Sequence, residues 1–458
     1  MRSLSLKLSM IVLLIAGWTI SASALPNFAR KYSLACSSCH SVVPRLNEFG
    51  WKFRAAGYRL PDEIGKTASV FNLSDYIAAR LNVALTDKSS TSATPGSAAI
   101  NNMNLQFAGA SLYVLFGALT KNISSEAEFS FNVPSPTNNG ISGMSFPVGV
   151  STASVGYYTG QENGWFSARA GIISGYQGYG ASDRGISSGS AMMTSGYATD
   201  LPAMAAGDKM IPSFVGIGGS QAGIDLGYTL NTIKDHPATI HAAVFSGYAY
   251  DVKDKPFAAV GGGSPKPSGL APSANSLDFQ VFASQILTED GGGISAVYYH
   301  GQADIGTNVN SLPKTATSNI DSLYWTDKFN RWAIFASYPI SRALLLAGYE
   351  NGLDNSWTLK SFAYADNIKS SGWFAEGDYN ITDMVGVGVR YDLINPNTSQ
   401  DNNKQTQITG FVNYNFGDGL QLIGQYAVKS SRMPGSDGLS TLGTQADNTF
   451  QLRISWVQ

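Results

Sequence analysis

From residue 372 onward the chain alternates between apolar and polar side chains with a period of two. In 372–381, Trp373, Ala375, Gly377, Tyr379 and Ile381 oppose Phe374, Glu376, Asp378 and Asn380. In 384–393, Val385, Val387, Val389, Tyr391 and Leu393 oppose Gly386, Gly388, Arg390 and Asp392, with Thr382-Asp383 as the tight turn between the two runs. Two further runs follow the same rule, Ile408 to Phe416 and Leu420 to Val428, joined at Gly417-Asp418-Gly419. A last run places Phe450, Leu452, Ile454 and Trp456 against Gln451, Arg453 and Ser455. Period two is the mark of a strand with two unlike faces.

Composition says what those faces meet. Only 14% of residues are charged, against about 25% in ordinary soluble chains. Mean hydropathy is nevertheless close to zero, at −0.05. Low charge without net greasiness results when each strand averages a lipid-facing row and a lumen-facing row. No apolar run approaches the roughly 20 residues of a membrane helix. With 30 basic and 32 acidic side chains, there is no cationic excess for nucleic acid. Noisier alternation recurs at about 69–85, 103–116, 123–133, 150–159, 165–174, 214–230, 239–250, 277–288, 292–304, 320–338, 342–350 and 357–367. The chain therefore reads as all-β, a transmembrane antiparallel β-barrel of about 16 strands occupying 67–458. Such a barrel belongs in an outer membrane, with lipid as its solvent. The final Trp456-Val457-Gln458 departs from the aromatic terminal residue common in such barrels.

The N-terminus carries an export signal. Arg2 and Lys7 form a positive n-region, Met10 to Trp18 an apolar h-region, and Ala22-Ser23-Ala24 a small-residue cleavage site. Residues 1–24 thus read as a cleaved signal peptide.

The chain has two cysteines, both in Cys36-Ser37-Ser38-Cys39-His40. C-x-x-C-H is the attachment pattern of a c-type haem. Two thiols three positions apart can add to the two vinyl groups on one porphyrin edge. The next residue, His40, then stands as the proximal iron ligand. A disulfide leaves His40 without a role, a thioredoxin-like pair wants a βαβ context, and a zinc site needs further ligands. Residues 25–66 are read as a monohaem cytochrome c segment with a short helix over Arg45 to Ala56, capped by Gly57. On that helix Leu46, Phe49 and Phe53 share a face. They are expected to pack on the barrel, to cover one side of the haem, or both, since the two roles are compatible.

Taken together, Pro26-Asn27-Phe28-Ala29-Arg30, Cys36 to His40, Pro44-Arg45-Leu46-Asn47-Glu48-Phe49-Gly50, Phe53 and Gly57-Tyr58 resemble the fused monohaem cytochrome–porin family of the outer membrane, best known for the iron oxidase of iron-oxidising bacteria. The close resemblance covers about residues 26–60. It implies one covalent haem c held in or at the mouth of a 16-strand barrel. It also implies electron uptake from extracellular Fe(II), oxidised to Fe(III), and delivery to a periplasmic c-type cytochrome or other carrier. Other outside donors are compatible with the same motif, and so is a solute porin in which the haem segment is a plug or gate.

The sixth iron ligand stays unassigned. Met103 alternates with Leu105 and Phe107 and is expected to face lipid. His300, beside Gln302 and Asp304, is expected in the lumen; His241 is ambiguous, and His236 precedes Pro237 as a turn residue does. Gly-, Ser- and Pro-rich stretches at 176–212, 251–275 and 431–447 are expected to be loops.

Overall fold

The computed structural model describes residues 27–42, 45–66, 73–91, 99–131, 148–174, 209–210, 220–233, 236–250, 270–308, 322–358, 363–382, 384–395, 398, 404–417, 419–434 and 441–457. The expected signal segment 1–24 and most of the expected loops 176–212 and 251–275 lie outside them.

Sixteen long strands form one closed antiparallel sheet. They are β1 (Ala78–Thr91), β2 (Ile100–Tyr113), β3 (Ile123–Phe131), β4 (Val148–Gln161), β5 (Gly164–Ser174), β6 (Ser220–Asn231), β7 (Pro237–Tyr250) and β8 (Leu270–Ile286). They continue as β9 (Gly293–Asn308), β10 (Ser322–Ile340), β11 (Ala343–Thr358), β12 (Ala363–Asn380), β13 (Val385–Asn395), β14 (Gln405–Gly417), β15 (Leu420–Pro434) and β16 (Thr441–Val457). Each strand pairs with its neighbours in sequence. The ring closes where β16 meets β1, from Ala446↔Thr91 to Val457↔Arg80. Closure removes the unpaired edges that lipid could not satisfy.

The alternation read from the sequence sets the two surfaces. Val389, Ile408 and Val412 are about half exposed on the outside, while Asp225, Asp278, Glu350 and Asp392 are fully buried on the inside. Outward aromatics lie at two levels: Tyr298, Trp332, Tyr349 and Trp373 toward one end, Tyr338 and Tyr379 toward the other. An apolar band between aromatic girdles is the surface of a protein that sits in the outer membrane.

The inner wall is tiled rather than lined by loose polar groups. Phe335 and Phe374 lie across Gly348, where a Cβ would collide with both rings. Phe411 lies across Gly388 in the same manner. These glycines leave room for an aromatic ring to lie flat on the neighbouring strand.

Short connections, such as 162–163, 341–342 and 381–384, share one end of the barrel with the start of β1 and the end of β16. The strand ends Phe131, Val148, Ser174, Ser220, Tyr250 and Leu270, which bound the longer gaps in sequence, lie at the other end. In barrels of this class the short turns are periplasmic and the long loops extracellular.

Three expectations need correction. The stretch 357–367 is not a separate strand but the end of β11 and the start of β12. Most of 431–447 is strand, since β15 runs to Pro434 and β16 starts at Thr441. Gly, Ser and Thr there continue a ladder that projects beyond the apolar band, where polar composition no longer argues against a strand. His300 faces outward, not into the lumen: it is exposed, and its neighbour Tyr299 is the one buried inside.

Candidate functional site

Residues 27–66 sit at the short-turn mouth as a lumen segment. Helix α1 (Asn27–Tyr32) is tied to the stretch that leads into β1 and to the β2–β3 connection. The Asn27 amide donates to the carbonyls of Asp75 and Phe116, and Arg30 donates to those of Ser74 and Ile77. Lys31 Nζ reaches the Tyr76 hydroxyl and the Ala118 carbonyl, and burial pulls its pKa down, opposed by Glu63 and Asp75.

Helix α2 is a single turn, Cys36–Cys39, so its backbone sets the two cysteine positions one helical turn apart. His40–Val42 then pairs with Arg45–Leu46 in a tight antiparallel hairpin, His40 opposite Leu46. This brings His40 Nδ1 to 3.2 Å from the Arg45 carbonyl oxygen. An imidazole that donates Nδ1–H to a carbonyl presents Nε2 as its lone-pair nitrogen. Two cysteine positions on one turn of backbone and a half-buried imidazole oriented in this way form a set that fits a thioether-bound haem. Among the described residues there is no group of three His, Cys, Asp or Glu that could hold a bare metal ion.

The motif is mounted on helix α3 (Glu48–Ala55). Asn47 caps that helix by accepting from Gly50 N at 2.9 Å. Its side-chain amide donates to the Ser38 carbonyl at 3.0 Å, and its own N–H to that of Cys39 at 3.0 Å. Gly50 has no room for a Cβ, because the Cys39 carbonyl oxygen occupies the place. Loss of Arg45 from the expected helix follows from this geometry: Asn47 is the cap, and residues 45–46 are consumed by the hairpin. At the other end Gly57, with φ +72°, closes α3 as expected. Gly57 N bonds to Arg54 O and Tyr58 N to Phe53 O, the paired bonds of a Schellman motif.

The barrel wall holds α3 from several sides. Leu46 and Trp51 pack with Phe282, Ile286, Phe335 and Phe374. Trp165 Nε1 donates to the Ala55 carbonyl at 3.0 Å. Glu48 bonds to His236, a turn residue as its sequence suggested, and its N–H donates to Glu289 O. Arg59 donates to the Lys121 carbonyl and the Ser124 hydroxyl. On the far wall Arg45 meets Asp378 at 3.0 Å. Burial lowers the Arg45 pKa, and the carboxylates of Asp378 and Glu376 oppose that shift.

Leu46 and Phe53 are committed to packing. Phe53, 4% exposed, is ringed by Phe28, Tyr32, Phe49 and Tyr58. Burial, reinforced by Glu63, pushes the Tyr32 phenol well above its usual pKa. Only Phe49 keeps a partly exposed ring on that face. Of the other sequence candidates, Met103 is 65% exposed on the outer face as expected. His241 turns inward, with Nδ1 3.1 Å from Asp225 Oδ2 and Arg169 on the same carboxylate. Sequence reasoning missed the Arg45–Asp378 pair, whose partners no local spacing connects.

No known family's sequence profile matches the chain, and no curated relative does. Among solved structures it is similar to the trimer form of OmpT from Vibrio cholerae, at 12% identity and TM-score 0.47, over 83% of this chain and 99% of that one. An anion-selective porin from Comamonas acidovorans gives 14% identity and TM-score 0.46, over 83% and 99%. OmpF of Salmonella typhi gives 12% and 0.46, over 83% and 97%.

Proposed function

We propose that this barrel is an outer-membrane electron-transfer protein carrying one covalent haem c at its periplasmic mouth. Its electrons come from an extracellular donor, foremost Fe(II), and go to a periplasmic c-type cytochrome or similar carrier. The observation that carries this reading is His40 Nδ1 on the Arg45 carbonyl directly after a one-turn Cys36–Cys39 helix. A bound haem supplies a one-electron iron couple.

The chain's own residues do the rest. Cys36 and Cys39 tether the group, so it cannot be lost to the periplasm. His40 binds from one side, its orientation fixed by the hairpin. Asn47 and Gly50 lock the attachment turn to α3, and Arg45, Trp51 and Glu48 lock α3 to the wall. A motif mounted this rigidly would hold the group at one place in the mouth, within reach of a periplasmic carrier, and an outside donor such as Fe(II) would have to enter through the lumen. The closed sheet keeps the outside donor and the periplasm separate.

The test is the intact mass of the processed protein, followed by anaerobic addition of Fe(II). One tetrapyrrole per chain and reduction by Fe(II) are expected. A mass without added haem removes the proposal. Haem without reduction by Fe(II) moves it to a different donor. A second reading, a porin gated by its plug, draws on the seating of 27–66 in the mouth. Solute flux through vesicles unaffected by Cys36→Ala would favour it.

A further inference from the structure

We propose that the outer surface of β9–β12 binds the phosphorylated headgroup of an anionic lipid in the outer leaflet. Three basic side chains carry the site: His300, Lys328 and Lys369, all exposed on the lipid-facing side. They stand just above the girdle at the long-loop end. On β10 the outward series runs Trp332, Asn330, Lys328, and on β12 it runs Trp373, Ser371, Lys369. On β9 it runs Tyr298, His300, Gln302. Above the upper aromatics, therefore, each of these three strands turns polar.

The height is set by the strands themselves. Lys328 lies ten residues from the lower-girdle Tyr338 on the same face, and Lys369 lies ten residues from Tyr379. Ten residues rise about 33 Å along a strand, or about 25 Å once a tilt of about 40° is taken out, the full height typical of an apolar band; Trp332 and Trp373, six residues from the same tyrosines, stand about 15 Å up, within the upper half of that band. Both ammonium groups thus arise at headgroup level in the outer leaflet. Register gathers them: His300 lies opposite Asn330, Asn330 opposite Leu353, and Leu353 opposite Lys369. Three strand spacings separate the ends of that row, about 14 Å, and Lys328 sits one step higher beside Gln302. The His300 ring is fixed by Asn330 Oδ1, 2.8 Å from Nδ1, and the Tyr298 hydroxyl shares that acceptor. None of the described outward side chains on this stretch is a carboxylate. Charge complementarity selects phosphate, and the girdle below selects a molecule with acyl chains. The patch is independent of the haem segment, which lies at the opposite end.

The experiment reconstitutes the full chain in phosphatidylcholine nanodiscs containing bis-phosphorylated lipid A and counts retained lipid by native mass spectrometry. Wild type is expected to retain lipid A with at least tenfold preference over the double variant Lys328→Gln/Lys369→Gln. Lys66→Gln, an exposed lysine at the periplasmic end, serves as the control and is expected to retain wild-type levels. If the double variant loses its barrel, shown by heat-modifiable gel mobility, the single variants are compared and each is expected to fall about threefold. Equal retention by wild type and the lysine variants, or equal loss in Lys66→Gln, overturns the proposal. Displacement of lipid A by inorganic phosphate alone would do the same, since it would make the patch an ion site.

Discussion

The guanidinium of Arg45 lies 3.0 Å from the carboxylate of Asp378, across 333 residues of chain. One partner belongs to the lumen segment and the other to the inward face of β12. Glu376 lies 4.0 Å from the same guanidinium and also pairs with Arg390, which holds Asp392 in turn. The lumen segment is therefore fastened into a network of alternating charge that the wall already contains.

Arg45→Met should release that fastening. Removing one partner of a buried pair leaves the other uncompensated and costs about 3–5 kcal/mol. Denaturant titration followed at Trp51 should show the segment melting before the sheet. The double variant Arg45→Met/Asp378→Leu should recover most of the loss. A single variant that melts with the sheet at the wild-type midpoint would refute the latch.

Gly57→Ala should loosen the same segment from the opposite side. The φ of +72° disfavours any Cβ, and an added methyl would meet Tyr158 and the Ser124 hydroxyl. A loss of at least about 1 kcal/mol is expected. Limited proteolysis within 45–66 should accelerate about fivefold or more while the barrel stays resistant.

Asn47→Ala removes both the α3 cap and the strap to Ser38, at about 1 kcal/mol for the cap alone. Under the haem proposal, the fraction of chains carrying covalent haem should fall, read as haem stain per mole of protein. Cys36→Ala/Cys39→Ala should abolish the covalent stain entirely. Undiminished staining of the double cysteine variant, in a chain with no other cysteine, would refute thioether attachment.

Membrane depth can be read from two outward positions. Ile334→Arg, in the apolar band, should cost about 2–4 kcal/mol in a lipid bilayer, whereas Leu353→Arg, at the level of Lys369, should cost about 0–1 kcal/mol. Equilibrium unfolding in vesicles measures both. Equal costs would mean that the band is drawn at the wrong height.

Much of this was legible in the residue pattern. Where neighbours alternate cleanly, as in 373–380, 385–393, 408–416 and 420–428, both faces were read correctly, because period two leaves a single way to put apolar groups in lipid. The 357–367 stretch misled because its alternation runs on from the end of β11 into the start of β12. His300 misled because one polar neighbour two positions away looks alike in a lumen and at a headgroup. In the lumen segment Gly57 was legible as a cap through its own backbone requirement. The start of α3 was not, since Arg45 is a good helix former whose partner, Asp378, is distant in sequence. Leu46 and Phe53 could serve wall or cofactor on their spacing alone, and only the surrounding Phe282, Phe374, Phe28 and Tyr58 show that they do pack on the wall and its helices.

The seam between β16 and β1 has a consequence in time. Val457 and Arg80 are register partners, so the cylinder cannot be zipped shut before the chain through Val457 is in place. The stretch 36–40 precedes every strand of that cylinder in the chain. Under the haem proposal, enzymes that ligate a porphyrin there would work on an unfolded, accessible peptide, before closure of the sheet seats it among the side chains of the mouth.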